Sequence, residues 1–597
     1  MWRWLSRCVP GISIIVLLLL LVFAFPDTAK WSPSLPWPGR VPPTTPVDNG
    51  SGKTPPPLSL AQKLFIAYTL IVHVNAQTFA MRLSWALCRL LKETRAVLRR
   101  RPSAKTIAGP DGSETPQFAD SPLATPTSTS SPELTFDDLG RLEEGEDGEV
   151  VHAIILPNYC EDLDTLQTTL SVLASHPRAA TQYEVYLAME QKETKAPEKA
   201  ATLISMFQGQ FRDICGTFHP AGLPGEIAGK SSNVAFAARH IIDAHRRDET
   251  VNPRDVIITV MDADTHLSQD YFTEIRRLHY RHIDEADRSF YASPIIFDRN
   301  SNEVPVFVRC ADLMWGFAGL SAMYPGSPIT IPTSVYSLPL VLAEKVGGWD
   351  GDPTAIGEDM HMLLKCYFQT GGDIISRVIY TPASQCNVSS NDGEGWRRSL
   401  ATCMARYRQA LRHMWGALDT GFAVRQSLGR LTGKGQPRMR LRLRHLVLFH
   451  LLWEAHFLPC HFTILLLFSS IYTFVTPPSQ IHPMLAWTFW FTGVLRAVSF
   501  VWMNICLTLY DRWHALCVSA RARDMARAGL LDAGFSFRTW WHGKHLIERL
   551  CFPIAGTIFG SIPSVHAEIS HFWTERLVYR VSKKPTFTTK MTAAFPA

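Results

Sequence analysis

The sequence predicts an α/β domain, built on a mostly parallel sheet and held between groups of membrane-spanning helices. Three observations carry this reading. From Val150 onward, short apolar strands alternate with helical segments, the pattern of a parallel sheet covered by helices. Long apolar stretches lie toward both ends of the 597-residue chain, and about 18 to 20 such residues cross a bilayer core. Basic runs sit beside those stretches, so the net charge of +6 is membrane-flanking charge. There is no zinc-finger spacing and no Arg/Lys stripe interleaved with aromatics, so no nucleic acid is expected as a partner. A mean hydropathy of +0.01 averages very apolar segments with very polar ones. Twelve scattered cysteines without a Cys-x-x-Cys pair read as reduced thiols of a cytosol-facing domain.

The elements follow in order. Residues 1–26 form an N-terminal transmembrane helix: Gly11 to Phe25 is almost wholly apolar after Arg3 and Arg7. Such a segment is a signal anchor or a signal peptide, and the missing Ala-x-Ala site favours the anchor. Residues 27–59 are a Pro/Ser/Thr-rich lumenal loop, and 60–81 a second transmembrane helix, weakened by His73, Asn75 and Gln77. The segment 82–148 opens with Arg82, Arg89, Lys92, Arg95, Arg99, Arg100, Arg101 and Lys105, which places it in the cytosol. It continues as a Ser/Thr/Pro-rich, then acidic, disordered linker with too little apolar surface to fold.

A catalytic domain is expected over 149–394, with strands at Val150–Leu156, Tyr183–Met189, Ile214–Phe218, Val256–Met261 and Phe290–Phe297. Residues 395–445 follow as an interfacial amphipathic helix and a basic segment. Trp396, Leu400, Met404, Tyr407, Leu411 and Trp415 alternate there with arginines. The remainder, 446–597, is a C-terminal membrane region with spans near 446–475 and 483–509. A stretch near 550–565, holding Pro553, Gly556, Gly560 and Pro563, is short for a span and reads as re-entrant or interfacial. His450 and Glu454 stand i, i+4 inside the first of these segments, where ionisable groups mark a polar path or an interfacial location.

The chemistry is carried by acidic pairs in a fixed order. Asp262-Ala263-Asp264 ends the run Val256–Met261, and Gly347-Gly348-Trp349-Asp350 precedes Gly357-Glu358-Asp359. A strand ending in Asp-x-Asp sets two carboxylates at one sheet edge. That suits a hard divalent cation that takes its other ligands from water and substrate phosphates. A later carboxylate pair can supply a general base. Ligands of parallel sheets sit at the carboxyl ends of strands, where Pro157-Asn158-Tyr159-Cys160-Glu161, Glu190, Asp262 and Asp264 all fall.

These motifs, with Gly229-Lys230-Ser231-Ser232-Asn233 and Gln409-x-x-Arg412-His413, resemble the membrane-embedded glycosyltransferases of family 2. That group contains cellulose, chitin and hyaluronan synthases and ceramide glucosyltransferase. The resemblance covers about residues 150–420 and the layout of helices around them. It implies a GT-A domain, a Rossmann-like nucleotide-diphospho-sugar transferase fold, and an inverting sugar transfer from a nucleotide sugar, with a UDP-sugar the favoured donor. In the family the last motif usually ends in Trp. Here His413 stands in that place and Trp415 follows two residues later.

The resemblance implies a role for each residue. Asp264, with Asp262, would hold Mn²⁺ or Mg²⁺ at the donor diphosphate. Asp359 would be the general base and Glu358 would orient it or the acceptor. Glu161, Glu190, Lys230, Asn233, Asp262, Gln409 and Arg412 would bind the donor, and His413 and Trp415 the acceptor. Glu161 and Glu190 are equally compatible with solvated loop acids, and Lys230 with a plain surface lysine. The expected partners are the donor, a glycan or lipid acceptor and membrane lipids. A growing polysaccharide is favoured over a single lipid transfer. An inactive scaffold of this fold is disfavoured by the intact carboxylates. The chain is then a multi-pass protein of the plasma membrane, Golgi or endoplasmic reticulum with its catalytic domain in the cytosol, and Asn49 in the lumenal loop is a site for a glycan.

Overall fold

The computed structural model describes residues 2–26, 57–100, 149–227, 229–433, 439–440, 442–531 and 544–577. The loop holding Asn49 and the linker residues 101–148 lie outside the described residues.

The α/β core is a seven-stranded mixed sheet in the order β3-β2-β1-β4-β7-β5-β8. Its strands are β1 (Val151–Asn158), β2 (Tyr183–Glu190), β3 (Asp213–His219), β4 (Val256–Val260), β5 (Ser289–Ala292), β7 (Tyr336–Pro339) and β8 (Ile375–Val378). β1 runs parallel to both β2 and β4. Its side chains alternate between two cores: Val151, Ala153 and Ile155 face one, and Ile154 and Leu156 the other. Burial on both faces is what a central parallel strand requires, so β1 reads as an unbroken apolar run.

Two expectations change. The single strand Phe290–Phe297 is two, because Ser293-Pro294 interrupts it: β5 stays in the main sheet, and β6 (Ile295–Phe297) pairs with β9 (Ala383–Gln385). A proline lacks the N–H that a ladder needs. The strand pattern missed β7 and β8 (Ile375–Val378) of the main sheet, and β9 of the two-stranded one. β7 is antiparallel to β4 and β5, and at four residues it is too short to show a period.

Among the described residues, four helical runs are long and apolar enough to cross a membrane: Leu60–Arg99, Leu458–Val475, Pro483–Arg527 and Leu546–Ser570. The expected span at 60–81 and the basic residues after it form one helix, Leu60–Arg100, of 41 residues, about 60 Å long. It packs along the 45-residue helix Pro483–Arg527. Gln77 donates to Ser499 Oγ at 2.6 Å and Trp513 to Thr94 Oγ1 at 3.0 Å. The apolar segment expected at 446–475 is divided at Phe457, between helices Leu443–His456 and Leu458–Val475. Pro459 starts the second because it cannot continue the first. The stretch expected to be short or re-entrant runs from Leu546 to Ser570, 25 helical residues, with a π-turn at Thr557–Ser561.

At the N-terminus, Val9–Ala24 is a helix of 16 residues, about 24 Å, shorter than those four. It packs on Leu60–Arg100 and on Ile562–Ser570. Before it, Arg7 Nε donates to His571 O at 2.8 Å and Trp4 Nε1 to Phe572 O at 3.0 Å. Gly421 lies so close to this segment that a Cβ there would meet Ser6 O at 2.4 Å. The N-terminal segment is thus packed against the rest of the structure.

Asn387 of the sequon Asn387-Val388-Ser389 is 1% exposed. Its Nδ2 donates to Asp312 Oδ2 at 2.5 Å, and its N–H to Asn300 Oδ1 at 2.7 Å. No glycan is therefore expected there, and Asn387→Gln should leave the glycosidase-sensitive gel mobility unchanged. A glycan found on the Asn387 peptide would place the α/β domain in the lumen and contradict this fold.

Candidate active site

The site forms where the carboxyl ends of β1, β2 and β4 meet the turn before β7 and the helix Glu358–Gln369. After β4 the chain turns, with Thr265 N–H donating to Asp262 O at 2.9 Å, so Asp262 and Asp264 share one rim. Asp264 is buried, with the fully buried Arg299 guanidinium 3.7 Å away. Arg299 also donates to His266 Nε2 at 2.8 Å. Lys230, first residue of the helix Lys230–Arg247, reaches Asp262 Oδ1 at 2.7 Å and Glu358 Oε2 at 3.1 Å. Burial pulls its ammonium down, but Asp262, Glu358 and Asp359 together hold it above the usual lysine range.

Glu358 and Asp359 open their helix, where the backbone dipole favours negative charge. Glu358 is buried and its carboxyl is pushed up, by burial first and by Asp359 second, against the pull of Lys230. Tyr336 donates its hydroxyl to Glu358 Oε1, and Trp349 Nε1 donates to the Tyr336 hydroxyl at 2.5 Å. Trp349 gets there because Gly347 and Gly348 turn the chain at φ 78° and 70°, a conformation open to glycine at little cost. Asp359 Oδ2 accepts the N–H of Ser334 at 2.7 Å. Ser334 itself holds a positive φ of 62°, a strained geometry of about 1–3 kcal/mol, and that geometry delivers its N–H to Asp359.

One cavity of about 1220 Å³ joins these groups. At one end lie Tyr159, Glu161 and Glu190, at the middle Lys230, Asp262, Asp264, Glu358 and Asp359, and at the other Phe462, Leu466, Leu467, Ile554 and Ile558 of two candidate spans. Glu190 is not a solvated acid: it is buried and its Oε2 is 3.1 Å from His219 Nδ1. Glu226 takes the other ring nitrogen at 2.8 Å, and the two carboxylates raise the His219 pKa above that of a free imidazole, Glu190 foremost. The backbone carbonyl of Glu161 accepts from Lys199 Nζ at 2.7 Å. Asn233 lines the cavity, but its Nδ2 is committed to Ala188 O at 2.7 Å, tying the helix to β2.

The amphipathic segment is the helix Gly395–Met414, exposed at Trp396, Leu400 and Met404. Gln409, Arg412 and His413 line the cavity, with the His413 ring stacked on Trp315 at 4.0 Å. Trp415, expected at the acceptor, is not on the cavity wall. It is buried, donates to Glu575 O at 3.2 Å and packs edge-on against His571. Helical periodicity put Trp415 on the motif's face, but the turn Trp415–Ala417 rotates it away.

The sequence reading missed Ser334, Tyr336 and Arg299. Nothing local marks a serine that offers only its N–H, and Arg299 is brought to Asp264 by the β5–β6 break. The metal ligands are better bounded: among the described residues no group of three or more His, Cys, Asp or Glu can hold a metal ion. Protein ligation would come from the Asp262/Asp264 pair alone, as for a hard cation completed by phosphate oxygens and water. No disulfide forms among the described residues, and all twelve cysteines are free.

Residues 257–491 match the family model described as glycosyl transferase family group 2, and this bears out the resemblance read from the motifs. No curated protein sequence matches the chain. Among solved structures, the mannosyltransferase PcManGT from Pyrobaculum calidifontis, in complex with GDP-Man and Mn²⁺, aligns at 12% identity and a TM-score of 0.40. It covers 77% of this chain and 99% of its own. S. aureus TarS 1-349 aligns at 11% identity and a TM-score of 0.30, over 62% of this chain and 92% of its own. Both scores are low, so the family reading rests on the matched segment.

Lys230 and Glu358 generate a stability prediction. Lys230 is half-buried and Glu358 buried, so removing the ammonium leaves a buried carboxylate without its counter-charge, at a cost of up to about 3–5 kcal/mol. Lys230→Met should lower the melting temperature of the purified protein, and Lys230→Met/Glu358→Gln should recover part of the loss. A Lys230→Met protein as stable as the wild type would contradict the pairing.

Proposed function

We propose that this chain, with its family-2 glycosyltransferase segment at 257–491, is a membrane-embedded inverting glycosyltransferase. It takes a nucleotide sugar, UDP-linked in the reading the motifs favour, from the cytosol and passes the sugar to an acceptor presented at the membrane. The carrying observation is that Lys230, Asp262, Asp264, Glu358 and Asp359 converge in one cavity that continues between two candidate spans.

The nucleoside end of the donor lies toward Glu161 and Glu190, whose carboxylates accept from base N–H or ribose hydroxyls. Arg412 offers a planar fork of donors to the diphosphate, and Lys230 adds a positive charge there. Asp262 and Asp264 would hold Mn²⁺ or Mg²⁺, which when bound offsets charge on the departing nucleoside diphosphate. Asp359 takes the proton of the acceptor hydroxyl as that oxygen attacks the anomeric carbon, opposite the leaving group. One displacement inverts the configuration. Ser334 N–H, donating to Oδ2, orients Asp359 for this step. Glu358, tied by Tyr336 and Lys230, joins the base to the metal-side carboxylates. His413 and the stacked Trp315 wall the acceptor side.

The layout of helices before and after the catalytic domain favours a growing glycan as the acceptor. A second reading, one transfer to a lipid, is favoured by the apolar cavity end at Phe462, Leu466, Leu467, Ile554 and Ile558. Product length with a labelled donor separates them: a ladder supports the glycan, a single organic-soluble product the lipid. The basic runs support a cytosolic catalytic domain.

The first test is a donor panel on purified membranes, scored by nucleotide release. Asp264→Asn should cut turnover at least about 100-fold while the protein still inserts and folds. A chelator should mimic it, with Mn²⁺ or Mg²⁺ restoring the rate. Full activity of Asp264→Asn would sink the assignment. Asp359→Asn should cost about 10²–10⁴-fold in transfer yet leave donor affinity nearly intact, since the amide keeps the shape and loses the proton acceptor. A collapse of donor affinity would instead move Asp359 into the donor site.

A further inference from the structure

We propose that His361 and Asp419 are positioning residues for the transfer step, clamping the turn that carries Glu358 and Asp359 to the interfacial segment that carries Gln409, Arg412 and His413. The inference rests on the role given above to Asp359. His361 follows the base by two residues and is buried. Its Nδ1 lies 2.6 Å from Asp419 Oδ1 and its Nε2 3.2 Å from Asp350 Oδ2. Lys365 Nζ fixes the other oxygen of Asp350 at 2.6 Å. An imidazole with a carboxylate on each nitrogen donates from both, so it carries its proton.

Asp419 is fully buried in the first turn of the helix Leu418–Thr432, directly after the Trp415–Ala417 turn that ends the amphipathic segment. Its two oxygens bracket the base. Oδ1 holds His361. Oδ2 is buried without a hydrogen-bond partner among the described residues, and a Cβ on Gly357 would lie 3.0 Å from it. Gly357 and His361 are the residues on either side of the Glu358–Asp359–Met360 turn. One carboxylate from the interfacial segment therefore touches both ends of the base-bearing turn.

The energetics point away from a role in stability alone. Burial raises the Asp419 carboxyl to about 6, against the pull of His361. Burial also acts to lower the His361 pKa, but Asp419 and Asp350 carry it up to about 9. The pair is thus charged near neutral pH, at a desolvation cost that an apolar pair of the same volume avoids. What the charged pair adds over an apolar one is a fixed direction. Reacting groups gain from being held in register, and small displacements far from the chemistry lower rates by large factors.

The test uses the full-length protein in nanodiscs, with folded protein quantified by size exclusion. Asp419→Asn and His361→Gln are compared with the double variant His361→Gln/Asp419→Asn, which replaces the ion pair by an amide pair of similar reach. Donor affinity and kcat are read per folded molecule. Each single variant should lose at least about 10-fold in kcat with donor affinity within about twofold of wild type, and the double variant should recover most of the loss. Single variants with wild-type kcat per folded molecule would overturn the proposal and leave the pair a purely structural feature. If the single variants do not fold, the double variant decides: kcat near wild type supports the clamp, and a 100-fold loss with intact donor affinity overturns it. A wild-type protein that transfers no sugar from any donor would instead speak against the function itself.

Discussion

Everything at this site depends on the Lys230 ammonium, which stands between two acidic groups that the fold forces together. β4 delivers Asp262 and Asp264 to the sheet edge, and the helix after Gly357 delivers Glu358 and Asp359 to the same cavity. Four carboxylates so placed repel one another in a medium of low dielectric. Lys230, 2.7 Å from Asp262 and 3.1 Å from Glu358, relieves that repulsion and fixes the spacing of the two acidic pairs. Tyr336 and Trp349 complete the arrangement by binding Glu358 from behind. The Gly347-Gly348 turn, far from chemistry in appearance, exists to bring Trp349 there.

The second organising fact is continuity between the site and the helices long enough to cross a membrane. The same cavity is lined by Asp359 and by side chains of Leu458–Val475 and Leu546–Ser570. In the proposed reading, an acceptor held among these helices would reach Asp359 within one cavity. The N-terminal helix packs on the last of these helices, and Arg7 and Trp4 just before it donate to the carbonyls of His571 and Phe572 just after that helix. This explains why the sequence places apolar helices on both sides of the α/β core.

Much of this was legible in the sequence, for physical reasons. Parallel central strands are buried on both faces, so β1, β2 and β4 appear as apolar runs, and carboxylates at their ends fall at the ligand edge. Positively charged juxtamembrane runs and long apolar segments are equally plain. What escaped was set by tertiary structure. β7 owes its place to neighbours on both sides, and Ser334 acts through its backbone. Trp415 sat on the expected face until a single 3₁₀ turn redirected it to Glu575. Pro459 was visible, yet its effect as a divider between two helices was read through because both halves are apolar. Asn233 lines the cavity, and its amide nitrogen is committed to Ala188 O of β2, a tie that no local pattern announces.

The central claim is that this acidic cavity binds a nucleotide sugar at Asp262 and Asp264. The most direct measurement is a cryo-electron microscopy structure of the protein in nanodiscs with a nucleoside diphosphate and Mn²⁺. The account predicts metal and diphosphate density at the two aspartates, with the nucleoside toward Glu161 and Glu190 and the Lys230 ammonium withdrawn from Asp262 toward phosphate. A nucleotide bound elsewhere, with the Lys230–Asp262 contact unchanged, would contradict it.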